Sequence, residues 1–260
     1  MTPAAPVAIA ATELARRERL ILLGSAASAT ILAWLLLGAS VRAPLAGRAF
    51  DSAHAPAVGF HEFMLVVLMW QTMMIAMMTP TVVRWLLVFG GVLNDAAPGR
   101  TTLLSVSAFA IGYFLVWLAY SFVCGAAQVL LQRSALLDVH RGMSAWLGGA
   151  VFVGAGVFQA TPIKRACLRH CRSPLGYLLT RWRNGPMGGL RLGFGHGLYC
   201  VGCCWALMLV SFALGVMNLL WMAALTIILC VEQLAPHGDR IGRALGVAMA
   251  AWGLVVMCWT

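Results

Sequence analysis

Charge is what this sequence has least of. Only 8 of its 260 residues are acidic, a single one is lysine, and charged side chains of all kinds make up 10%. A soluble domain carries about a quarter, so an ordinary water-facing surface is excluded. The apolar stretches hold too few carboxylates to run a proton-coupled transporter. Motifs are missing as well. There is no phosphate-binding glycine loop, no nucleophile elbow and no zinc-protease helix, so neither an ATPase nor a hydrolase is indicated.

What is present is apolar. Hydrophobic residues make up 62% of the chain and the mean hydropathy is +0.88. Several apolar runs reach the length of about 20 residues that a helix needs to cross a hydrocarbon core. The formal charge of +10 comes almost wholly from arginines between those runs, with no basic stripe of interleaved aromatics. That pattern orients a membrane protein and gives no reason to expect a nucleic-acid partner.

The runs predict an all-α, polytopic membrane helix bundle with a lipid bilayer as its surroundings. Seven spans are expected, at Leu20–Ala39, Ala57–Thr79, Thr102–Leu130, Ser144–Pro162, Phe194–Gly215, Val216–Val231 and Ile241–Trp259. Loss of the short sixth span would leave six. Val82–Leu93 is apolar but interrupted by Arg84, and reads as an interfacial segment. Residues 1–19 read as a cytoplasmic N-terminal segment and 20–260 as one helical domain without repeats. With the N-terminus inside, fourteen basic residues fall in cytoplasmic segments and four outside, a clear positive-inside bias. An inner (plasma) membrane location follows.

Five of the eight cysteines fall in one stretch together with two histidines. Cys167, His170 and Cys171 are spaced i, i+3, i+4, one face of a helical turn. His196, Cys200, Cys203 and Cys204 follow at i, i+4, i+7, i+8. Soft thiolate and borderline imidazole donors in that density indicate a metal site. Loop and helix sulfurs within about 4 Å of one another could share an ion, given metal–sulfur bonds of about 2.3 Å. Seven donors exceed one site's need, so two ions bind or some residues support the others. Gly193, Gly195, Gly197 and Gly202 remove bulk beside the donors and let another helix approach. Glu232 is expected at the depth of His196, where an ionisable side chain is a functional candidate. Cys124, Cys230 and Cys258 lie in apolar runs and read as packing residues. A disulfide is disfavoured on the cytoplasmic side.

Met69, Met73 and Met77 form a stripe at spacing four before Pro80. Thioether sulfur suits Cu(I), although methionine also fills irregular cores, which is the favoured reading. The stripe still tilts the metal towards copper, with zinc or iron as the other choices. His54, His61 and Glu62, with Asp138 and His140, form a weaker outer group.

The strings Met73–Pro80, Thr161-Pro162 with Lys164, Cys167–Cys171, and His196–Trp205 resemble a bacterial family of predicted metal-binding integral membrane proteins, catalogued as a domain of unknown function. Met208, Gly215–Met222 and Glu232 match the same pattern, and the likeness covers about residues 57–235. The family's lysine after the glutamate is Gln233 here. The resemblance implies metal binding and supplies no reaction. The readings that remain are a metal-binding membrane protein, a membrane oxidoreductase using the cluster as a metal or dithiol centre, and a metal transporter or assembly factor with a membrane or soluble protein partner. A purely structural subunit is the fourth.

Overall fold

The computed structural model describes residues 16–42, 59–96, 100–138 and 142–259. His54 and His140 lie outside the described residues. The elements in order are α1 (Arg16–Arg42), α2 (Phe60–Ala96), α3 (Arg100–Arg133), a two-residue hairpin of β1 (Leu137–Asp138) and β2 (Gly142–Met143), α4 (Ala145–Ala160), α5 (Pro162–Arg172), α6 (Pro174–Arg181), α7 (Gly185–Leu214), α8 (Leu219–Leu234) and α9 (Gly238–Cys258). The architecture is an all-α helical bundle.

Five helices, α1, α2, α3, α7 and α9, are long and apolar enough to cross a membrane, and α4 with α5 makes a sixth candidate bent by 65°. The expected sixth span is the 16-residue helix α8, too short to count by itself. The expected second span and the interfacial segment are one 37-residue helix, α2. Pro80 removes one backbone donor without ending it, because proline within a long apolar helix is tolerated where neighbouring groups satisfy the freed backbone. The carbonyl freed is that of Ala76, four residues back, and the Thr79 and Thr81 hydroxyls donate to the Ile75 and Met78 carbonyls on either side of it. The fifth span begins at Gly185, well before the expected Phe194.

The bend between α4 and α5 is local chemistry. Proline drives the residue before it out of the helical region, and Thr161 is extended at φ −68°, ψ 149°. Its hydroxyl then caps α5 by accepting from the Lys164 amide. At the far end of α7, Gly215 takes a positive φ of 90° and starts the tight connection to α8.

Two glycine seams set the packing. A side chain on Gly189 would collide with the Ser105 carbonyl, one on Gly193 with the Phe109 carbonyl, and one on Gly197 with the Tyr113 carbonyl and the Val116 side chain. Each step of four along α7 thus matches about four along α3, so the two helices run parallel in backbone contact. The expected close approach at Gly193 and Gly197 is observed. On α4 and α9, Gly149 meets Gly253 and Gly156 meets Gly246 in antiparallel order. Gly193→Val is therefore expected to destabilise the purified chain by about 3 kcal/mol or more by overpacking. Gly154→Ala, with nothing within 4 Å, is expected to be neutral. Equal melting temperatures for the two variants would contradict the seam.

The buried centre gathers Trp70, Trp85, Phe89, Phe109, Tyr113 and Trp117 with Met73, Met74, Met77 and Met78. The outer face is also apolar, with Leu35, Val123, Leu130, Leu220, Ile227 and Val247 exposed on four of the helices.

Candidate metal centre

Cys171 near the end of α5 and Cys200 and Cys203 on α7 point at one place. Their sulfurs all lie within 4.8 Å of one another and all three residues are buried. The Cys171 and Cys203 sulfurs are 3.8 Å apart. Three sulfurs around one ion at about 2.3 Å sit about 4 Å apart, so the triad matches a shared ion. Loop and helix cysteines thus form one cluster.

The helical repeat explains which donors converge. Successive residues turn by about 100°, so Cys204 cannot share the direction of Cys203. Both thiols donate to the Cys200 carbonyl, at 3.1 Å from Cys203 and 2.8 Å from Cys204, but only the Cys203 sulfur belongs to the group of three. On α5, Cys167 lies one turn before Cys171 on the same face, only half buried, with its sulfur against Gly202. His170, one residue before Cys171, is turned outward. Its ring stacks on Tyr199 at 4.2 Å between centroids, and its Nδ1 faces the Ala166 carbonyl at 3.0 Å. His196 lies one turn before Cys200, buried outside the triad. It stacks on Trp85 at 3.7 Å, and its Nδ1 has no hydrogen-bond partner among the described residues.

The surroundings hold the thiols in place. The Tyr113 hydroxyl is hydrogen-bonded to the Cys200 sulfur at 3.2 Å, and the Gln233 amide from α8 donates to the same sulfur at 3.8 Å. The Trp85 indole donates to the Cys171 carbonyl at 2.9 Å, fixing the end of α5 against α2. Neither Tyr113 nor Trp85 stands out in the sequence, because each is one more aromatic in an apolar run.

Glu232 lies outside the group of three donors. It forms a buried ion pair with Lys164, 2.5 Å from Nζ to Oε2, and Gln159 donates to its other oxygen at 2.8 Å. Lys164 also donates to the Gln159 carbonyl oxygen. Its cation thus comes from α5 instead of the position after it. The spacing of the donors gives no sign of Lys164, whose one signal in the sequence is that it is the single lysine.

Met69, Met73 and Met77 are buried in the hydrophobic core. His61 and Glu62 sit in the first turn of α2. They lie 24 and 23 residues before Trp85, about 35 Å along the helix at 1.5 Å per residue, so the structure does not bring them to the thiols.

A family described as PpoB2, copper chaperone, matches residues 67–256, nearly three quarters of the chain. The chain belongs to that family. The match gives a copper-related family, a more specific chemistry than the metal-binding label of the resemblance. No curated protein and no solved structure matches.

Proposed function

We propose that the chain is an integral membrane protein that binds Cu(I) as cargo on Cys171, Cys200 and Cys203, and passes it to a protein partner. The observation that carries this reading is the convergence of three buried sulfurs within 4.8 Å. Thiolates favour soft ions, and three donors without a fourth in the same group suit Cu(I) better than tetrahedral zinc. Membership of a copper chaperone family supports the choice.

The membrane part rests on the long apolar helices and on the exposed apolar residues around the bundle, far more than a soluble monomer shows. The basic segments Lys164–Arg191 and Arg240–Arg243 support the positive-inside orientation, with the thiols near the cytoplasmic side of the inner membrane. Half-buried Cys167 and exposed His170 stand on the same helix as Cys171 and are the more accessible donors for an ion that leaves the triad.

Anaerobic titration of the detergent-purified chain with Cu(I) against a colorimetric Cu(I) chelator tests the reading. One tightly held copper per chain is expected, with zinc failing to displace it. Absence of competition with the chelator, or tighter binding of zinc, would overturn it.

A further inference from the structure

A cavity of about 460 Å³ opens between α6 and the first turns of α7. Its size falls in the range of small-molecule sites, about 300–1,000 Å³. Arg181, Arg183 and Arg191 line it, with Tyr177, Thr180 and Trp182. None of the lining residues is acidic, and none of the three arginines is ion-paired among the described residues. Arg181 is instead held over the Tyr177 and Tyr199 rings at 5.7 and 5.9 Å, and it donates to the Tyr199 hydroxyl at 3.3 Å. Three cations in one concavity, one of them held by aromatic rings, make a seat for a multiply charged oxyanion. Guanidinium forks match phosphate oxygens in pairs.

What lies next to the cavity narrows the class. Arg191, Phe194 and Leu198 follow at i, i+3 and i+7 on α7 and all are exposed. One helix face thus passes from cation to apolar surface within two turns. A free phosphate would use the arginines and leave that face bare. A phosphate carrying an acyl chain would use both. We propose that this cavity binds the phosphate of an anionic phospholipid, with the acyl chain lying along Phe194 and Leu198. The inference rests on the membrane reading and not on the copper reading. Basic pockets at the cytoplasmic ends of membrane helices take such headgroups, and each nearby arginine contributes about fivefold in affinity.

Native mass spectrometry of the detergent-purified chain tests it, with dioleoyl phosphatidylglycerol, dioleoyl phosphatidylcholine and inorganic phosphate as separate probes. Phosphatidylglycerol is expected to bind about tenfold or more tightly than phosphatidylcholine. The Arg181→Gln/Arg191→Gln variant is expected to lose that preference while keeping its Cu(I) stoichiometry and its elution volume. Should that variant fail to fold, Arg183→Gln alone is expected to reduce the preference about fivefold. Equal binding of the two lipids to the wild type, or an unchanged preference in a folded variant, overturns the inference. So does inorganic phosphate binding as tightly as phosphatidylglycerol, which would make the cavity a small-anion site. A chain that stays in solution without detergent would overturn the membrane reading itself. A detergent-requiring, copper-binding chain without lipid preference overturns this inference alone.

Discussion

Cys203→Ser is expected to weaken Cu(I) binding by more than about 100-fold, while Cys204→Ser, one residue further on, weakens it by less than about tenfold. Residues that only support a metal ligand cost about 10–100-fold when removed, so loss of a ligand exceeds that range. The two thiols belong to adjacent residues in the same buried stretch of α7, so size, chemistry and burial are matched. They differ in direction. The Cys203 sulfur lies 3.8 Å from that of Cys171, whereas Cys204 lies outside the group of three. Cys171→Ser and Cys200→Ser should match Cys203→Ser. His170→Ala should be close to neutral, because that ring is outside on Tyr199. Anaerobic competition against a Cu(I) chelator measures all five variants. A Cys204→Ser loss equal to that of Cys203→Ser would remove the triad and return the site to a diffuse thiol cluster.

That contrast marks how far the sequence could be read. The spacing from His196 to Cys204 put four donors on one broad face, and that face is where two of the three converging sulfurs lie. The spacing could not choose among them, because the choice depends on where the third sulfur comes from. Cys171 arrives through the break at Thr161-Pro162, and a proline break predicts that a helix bends but not by which angle. The glycines at 193 and 197 were legible as a close approach because a missing side chain in an apolar helix has few other uses. Their partner was not legible, since α3 offers only a backbone surface to them. Residues 82–93 read as a separate interfacial segment for a related reason, although they continue α2. Pro80 and Arg84 both argue against a continuing helix, but one missing amide is tolerated in a long apolar helix packed against its neighbours, and Arg84 is only partly buried. The long-range pairing of Lys164 with Glu232, 68 positions apart, carries no local pattern at all.

That pairing carries the second large effect. Lys164→Met is expected to destabilise the chain by about 3–5 kcal/mol, the usual cost of leaving one member of a buried ion pair without its partner. Glu232 would keep the Gln159 amide at 2.8 Å but lose its only cation among the described residues, in a site where both partners are at most 3% exposed. Gly242 packs against the same carboxylate, so the glutamate has little room to turn towards water. The Lys164→Met/Glu232→Gln double variant removes both charges and should be less destabilised than Lys164→Met alone, since partners in contact are not additive. The consequence reaches the thiols through α5. Lys164 stands in its first turn and Cys171 near its end, and the ion pair fixes that helix to α8, which also supplies Gln233 to the Cys200 sulfur. Lys164→Met should therefore weaken Cu(I) binding, and the double variant should recover part of the loss. Thermal unfolding in detergent and Cu(I) competition on the same preparations measure both effects. If the double variant is less stable than Lys164→Met, the pair is not the clamp that holds α5. If stability falls while Cu(I) affinity is unchanged, the position of Cys171 does not depend on that clamp.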